Sequence, residues 1–404
     1  MAAGIQRKLS TLLAVNFNLL ILLSAIVTMG FAEELWVRFF PKYLASIGAG
    51  LWAIGLFDAI KTSTGALYAY PGGIASDRYG HRKALQFFTL LTLLGYGLVL
   101  FGTHWTTMIV SSFFFLAWSG FSLPVMFSMV GRSLAENQHA RGLALQATLK
   151  RVPVILGPLA GGILIDRLGL TGGTKTGAMI ALVLGIFTLG VEQRLPETPA
   201  AQLSETNKTR LFSLKSFHPS LRQLLYSDIL IRFCERIPYA WVVIYCMDHT
   251  RVTATQFGLL TAVETVVSML CLFPTAYLSD KYGREPFVVM TFILFTLFPL
   301  SMLYAHTFGM LVFAFVIRGL KEFGDSARKS QIIRFSPENA RGQTVGAYYF
   351  IRDSVVTTGS FLGAYLWKIS PDANFLGAFI AGTGGTLSYL LSLKKPSYSN
   401  KIET

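Results

Sequence analysis

Charged side chains recur inside long apolar runs of this sequence: Glu33, Glu34 and Arg38; Asp58 and Lys61; Lys150 and Arg151; Arg232, Glu235 and Arg236; Glu264; Arg318, Lys321, Glu322 and Asp325; Arg352 and Asp353. In hydrocarbon each would cost about 2.5–3.5 kcal/mol, so each calls for a partner, a proton or a bound charge. The chemistry open to such a set is reversible proton transfer on the acids and capture of a charged solute by the bases. Nine bases face eight acids, a balance that permits an anionic or zwitterionic solute without demanding one. Some charges have local answers: Glu34, Arg38 and Lys42 follow at i, i+4, Asp58 and Lys61 at i, i+3, and Lys321 and Asp325 at i, i+4. Glu264 has no base on its own run and needs a base from elsewhere, a proton or a solute.

The elements that position these residues follow from composition. Of the 404 residues 52% are hydrophobic and 14% charged, and the mean hydropathy is +0.52, too apolar for an ordinary soluble domain. About 20 helical residues cross a hydrocarbon core about 30 Å thick. On that measure the sequence predicts spans 1 to 6 at residues 16–43, 52–76, 84–102, 106–132, 141–168 and 177–191. Spans 7 to 12 fall at 226–247, 254–278, 286–304, 309–333, 342–367 and 374–393. Lys150, Arg151, Glu235, Arg236, Glu264, Arg318, Arg352 and Asp353 each lie roughly ten residues from a span end, which at 1.5 Å per residue is about the midplane. Spans 3, 6, 9 and 12 have uncharged apolar cores and are expected to face lipid.

Residues 193–225 read as a soluble linker, with Pro196, Pro199 and Pro219 among Ser, Thr and basic residues. The expected organisation is therefore a bundle at 1–192, a linker at 193–225 and a second bundle at 226–404. The net charge of +14 falls largely on one set of alternating loops. This pattern predicts both termini in the cytosol and argues against nucleic acid as a partner. Glu33, Glu34 and Arg38 inside its long apolar run lead us to expect that span 1 is retained as a helix and not cleaved as a signal peptide. Cys234, Cys246 and Cys271 sit in spans as core residues, and the six histidines read as solvated or interfacial, with no metal-ligand spacing. No phosphate-binding loop occurs, nor Gly-x-Ser-x-Gly or His-Glu-x-x-His, so neither an ATP-driven pump nor an embedded hydrolase is expected.

Two strings reveal a duplication. GGIASDRYGHRK begins at Gly72 and AYLSDKYGRE at Ala276, placing Asp77 and Asp280 in the same frame 280 − 77 = 203 residues apart. Glu33 and Glu235, Lys61 and Glu264, and Arg151 and Asp353 pair at offsets of 202 or 203.

With these strings the chain resembles the major facilitator superfamily over essentially its whole length. Gly73, Asp77, Arg78, Gly80, Arg82 and Lys83 fall in register with that family's signature between helices 2 and 3, departing at Ala75 and His81; Asp280 and Arg284 belong to a weaker second copy. The resemblance implies an all-α membrane protein of 12 helices in two pseudo-symmetric six-helix bundles, with Gly73, Asp77, Arg78, Gly80, Arg82, Asp280 and Arg284 gating the cytosolic side. Gly157-Pro158-Leu159-Ala160-Gly161-Gly162 is similar to the superfamily's antiporter motif, and Gly157, Pro158, Gly161 and Gly162 would let helices approach closely. Proton-coupled drug antiporters of this type usually carry an Arg in helix 4. Here residues 106–130 are uncharged, and Arg318-Gly319 in span 10 looks like a stand-in.

The expectation is a secondary active transporter in the inner (plasma) membrane of a bacterium, working by alternating access as a monomer among lipids, without cofactor or metal. A small organic solute would be exported against inward protons. Substrate contacts are expected from Glu34, Arg38, Lys150, Arg151, Glu235, Arg236, Arg318 and Arg352, and proton coupling from Glu34, Glu235, Glu264 and Asp325. The other reading is uptake or facilitated movement of an organic anion over a cationic floor of Lys150, Arg151, Arg236, Arg318 and Arg352.

Overall fold

The computed structural model describes residues 17–122, 139–195, 217–337 and 341–393, and these are helical, with no strand among them. In the amino-terminal half α1 spans Phe17–Glu34, α2 Phe40–Ser46, α3 Leu51–Tyr79, α4 His81–Phe101, α5 Trp105–Phe115 and α6 His139–Glu192. In the other half α7 spans Pro219–Tyr239, α8 Trp241–Asp248, α9 Ala254–Tyr282, α10 Glu285–Leu303, α11 Phe308–Leu320, α12 Asp325–Arg334, α13 Arg341–Ile369 and α14 Pro371–Leu393.

Among the described residues four expected spans are broken, span 4 of them at a turn on Leu116 that ends α5. Span 1 is α1 and α2 joined by a 3-10 turn at Val37–Phe39, span 7 is α7 and α8, and span 10 is α11, a 3-10 turn at Lys321–Gly324 and α12. Conversely α6 carries spans 5 and 6 in one run, hinged where Gly169 adopts φ 75° and ψ 166°, a conformation essentially confined to glycine. The end of the expected linker is helical as well. His218 caps α7 by accepting from the Ser220 amide, and Pro219 occupies the first turn, where its missing N–H costs nothing. Among the described residues six helices are long and apolar enough to cross a membrane.

The chain divides into two compact units: Met1–Ala49, Ser63–Glu205 and Thr253–Leu259 in one, Gly50–Thr62, Thr206–Val252 and Leu260–Thr404 in the other. Each takes in the first turns of one long helix, α9 in the first unit and α3 in the second. In the first unit Trp36 packs edge-on against Phe40, Tyr96 and Phe115, with ring centroids 4.8–5.8 Å apart. The core of the second holds Leu221, Leu224, Phe292, Tyr348 and Tyr389, all fully buried.

The same small-residue contacts appear inside each unit. A Cβ on Gly161 would lie 1.6 Å from the Leu35 carbonyl oxygen, and one on Gly363, at 363 − 161 = 202, would lie 2.2 Å from that of Ile237. Likewise Gly258 abuts the Pro158 carbonyl as Gly55 abuts that of Ser360. Glycine at these positions lets α6 lie directly on α1 and the start of α9, and α13 on α7 and the start of α3. The faces expected toward lipid present Phe87, Leu90 and Leu94 on α4, Val183 and Phe187 on α6, and Ile380, Leu387 and Leu391 on α14, all exposed.

Candidate functional site

Helix α7 builds the site. Asp228, Arg232, Glu235, Arg236 and Tyr239 recur at spacings of three, four and one along it, so its third to fifth turns present charge to one side. Asp228 is fully buried and receives Arg328 Nη1 at 2.6 Å, Tyr348 Oη at 3.0 Å and Arg352 Nη1 at 3.2 Å. Arg352 gives Nε and Nη2 to Asp353, both at 2.8 Å. Glu235 is clamped on both oxygens, by Arg232 Nη1 and by Lys321 Nζ, each at 2.7 Å. Glu264 on α9 finds Arg318 at 3.3 Å and Lys321 at 3.6 Å. Of the three ways to satisfy Glu264, the structure uses bases from α11 and the turn that follows it.

Asp58, on the part of α3 that belongs to the second unit, completes the arrangement. Its Oδ1 accepts from Arg236 Nη1 at 3.2 Å and its Oδ2 from the Ser360 hydroxyl at 2.6 Å. A cavity of about 320 Å3 opens here, with Lys61, Arg232, Arg236 and Arg352 on its wall against Glu235 and Asp353, and Tyr239 beside them. Lys61, Arg236 and Arg318 all approach the Tyr239 ring, at 5.5, 4.8 and 5.6 Å from its centroid. Such a cavity, small and polar with a cationic wall, can hold a charged solute of modest size.

Two local pairings give way to contacts between helices. Asp58 bonds Arg236 and Ser360 where Lys61 was expected. Lys321 serves Glu235 and Glu264, while Asp325 is held by Arg328 and Lys329. Packing brings Asp58 and Lys321 their partners from neighbouring helices, whereas Asp325 is held by i, i+3 and i, i+4 bases on α12 itself. Glu34 and Arg38 do pair as expected, at 2.8 Å. In the first unit Lys150 is exposed and Arg151 half-buried.

Sequence reasoning singled out neither Asp228 nor Arg328, yet Arg328 is 2% exposed. The missing signal was the start of α7: beginning the helix at Pro219 carries Asp228 into its third turn, on one side with Arg232 and Glu235. Glu192, one residue past span 6, is fully buried and accepts from the Thr89 hydroxyl and Trp118 Nε1. Span 6, expected to face lipid, thus ends in a buried polar anchor. His81 is also buried, bonded to Ser76, in place of the solvated role its loop position suggested.

In the signature loop Gly80 has φ 83° and its equivalent Gly283 has φ 89°, again 203 residues apart, so both turns use a backbone that favours glycine. Arg78 is exposed with its guanidinium 5.5 Å from the Tyr79 ring, Arg82 is half-buried, and Arg284 stands at the N-cap of α10. Gly73, Asp77 and Asp280 are helical in backbone, and the side chains of the two aspartates lie outside the described residues. Gly157, Pro158, Gly161 and Gly162 pack as a set: a Cβ on Gly157 would meet Glu34 at 2.7 Å, and one on Gly162 the Ala254 carbonyl at 2.4 Å. Close by, Asp166 caps α9, accepting the amides of Ala254 and Thr255 at 2.8 and 2.9 Å.

The Major Facilitator Superfamily model matches this chain twice, over residues 21–246 and 224–403. The chain belongs to the major facilitator superfamily. Its relatives in that superfamily include an uncharacterized MFS-type transporter of Methanocaldococcus jannaschii, 21% identical over 88% of this chain and 90% of that protein. The multidrug resistance protein MdtG of Klebsiella pneumoniae is 22% identical over 91% of each. Among solved structures the fold is similar to the nucleoside transporter NupG, with a TM-score of 0.80 at 11% identity over 93% of this chain and 100% of that one. It is also similar to a POT family transporter, with a TM-score of 0.73 at 16% identity over 96% of both. The duplicated major facilitator fold accounts for the repeated glycine contacts, and membership makes this a transporter-family membrane protein.

Proposed function

We propose that this protein is a secondary active transporter that exports a small organic solute by alternating access in exchange for inward protons. The reading draws most on one observation: a linked cluster of acids and bases around a 320 Å3 cavity, within helices that otherwise bury apolar residues. Charges so placed are costly and are kept where a pathway needs them. Export takes its support from the relatives named multidrug resistance protein and from the glycine-rich packing of α6.

In this reading Glu235, Glu264, Asp325 and Glu34 are the candidates for proton transfer, because each is an acid held by bases whose pairing can change as the protein moves. Asp77, Arg78, Arg82, Asp280 and Arg284 form the cytosolic gate, and Gly73 and Gly80 shape its turn. The two sequence halves act as six-helix bundles of a monomer, with both termini in the cytosol of an inner-membrane protein. Reconstituted protein tests the reading. An imposed pH gradient, acid outside, should drive solute out of cells or inside-oriented vesicles, and collapsing the gradient with nigericin should stop it. Flux indifferent to nigericin would leave a transporter without proton coupling.

A further inference from the structure

We propose that the transported solute carries a carboxylate and that it docks on the Nε–Nη2 edge of Arg236, beside Lys61. The inference rests on the transporter reading and names the substrate class of the same site.

The bases on the cavity wall are not equivalent. Arg352 has committed all three nitrogens, two to Asp353 and one to Asp228. Arg232 gives Nη1 to Glu235 at 2.7 Å and lies within 4.0 Å of Asp228 and Asp325. Arg236 commits only Nη1, to Asp58 at 3.2 Å, long for a charge-assisted hydrogen bond. Its Nε and Nη2 have no acceptor among the described residues, and together they form a side-on fork that matches a carboxylate.

The fork is also held in place. Asp58 anchors one end of the guanidinium, the Ser360 hydroxyl fixes Asp58, and the Tyr239 ring lies 4.8 Å from the Arg236 centre. Lys61 meets the same ring at 5.5 Å, so two cations stand near each other on the wall. A cationic solute would meet the same two bases, while Glu235 is already taken on both oxygens and Asp353 faces Arg352. The volume, at the lower end of small-molecule sites, favours an acid smaller than most drugs.

The test uses the full-length protein in detergent at fixed ionic strength. Its melting temperature is followed with benzoate and succinate, with their neutral amides benzamide and succinamide, with benzylamine, and with phosphatidylglycerol. At least one carboxylate should raise the melting temperature while its amide and benzylamine do not. Arg236→Lys, checked to melt like wild type without ligand, should weaken that carboxylate at least tenfold, since a point charge cannot replace the fork. The proposal is overturned if amides match acids, if benzylamine or phosphatidylglycerol alone stabilises, if no probe does, or if Arg236→Lys keeps full affinity. Flux separates the two readings. A carboxylate that binds through Arg236 but crosses proteoliposomes no faster than through protein-free vesicles sinks the transporter reading and leaves the site. A solute that is carried equally well by Arg236→Lys sinks the carboxylate site and leaves the transporter.

Discussion

Replacing Asp228 by Asn probes the most heavily loaded acid in the cluster. The side chain is fully buried and answers Arg328 at 2.6 and 2.8 Å, Arg352 at 3.2 Å and Arg232 at 3.8 Å. Asparagine keeps the shape and can still accept from Tyr348, but leaves three guanidinium groups short of one negative charge. Breaking a buried pair from one side costs about 3–5 kcal/mol. Arg328 retains Asp325 and Arg352 retains Asp353, so the loss should fall at the lower end, about 3 kcal/mol. For a unit of this size that corresponds to roughly 6–12 °C in melting temperature. Asp353→Asn is the control: its side chain is 41% exposed, and a solvated pair is worth about 0–1 kcal/mol, under roughly 4 °C. Both are read by intrinsic fluorescence or differential scanning of purified protein. If Asp228→Asn melts within about 2 °C of wild type, or if Asp353→Asn is the more damaging change, the cluster is not organised around Asp228.

Gly161→Ala places a methyl group 1.6 Å from the Leu35 carbonyl, so α6 and α1 must part. Overpacking of this kind costs about 1–3 kcal/mol, and a melting temperature equal to wild type would show that the helices are not in that contact. Asp77→Asn should leave folded, inserted protein with flux reduced at least tenfold, because it removes the charge assigned to the cytosolic gate; wild-type flux at equal protein would take Asp77 out of the gate. Glu264→Gln should abolish pH-driven flux while solute exchange persists. Full pH-driven flux in that variant would pass the proton role to Glu235 or Glu34.

The helical bundle was legible because apolar runs long enough to span a membrane, and a repeat offset of 203, leave few alternatives. The charges that meet around the cavity were legible too, since a charge in an apolar run is conspicuous. Their partners were not. Asp58 lies three residues before Lys61 yet bonds Arg236, and Lys321 lies four before Asp325 yet bonds Glu235. Local spacing says which contacts are sterically open, whereas helix packing brings partners 86 and 178 residues apart to hydrogen-bond distance. Asp228 and Ser360 were lost for related reasons. Asp228 sits near the predicted start of span 7, where a boundary error of a turn turns a buried acid into a surface one. Ser360 occupies the place where the other half has Pro158, and nothing in that substitution announces a hydroxyl aimed at a carboxylate.

Solute movement in proteoliposomes tests the central claim most directly. Purified protein is reconstituted and challenged with organic acids, amino acids and amphiphilic cations, with and without a pH gradient, and uptake or release is compared with protein-free vesicles and with vesicles bearing Asp77→Asn. Saturable movement of one solute class is expected, accelerated by the gradient and lost in the variant. Movement of every solute at the rate of protein-free vesicles would contradict it.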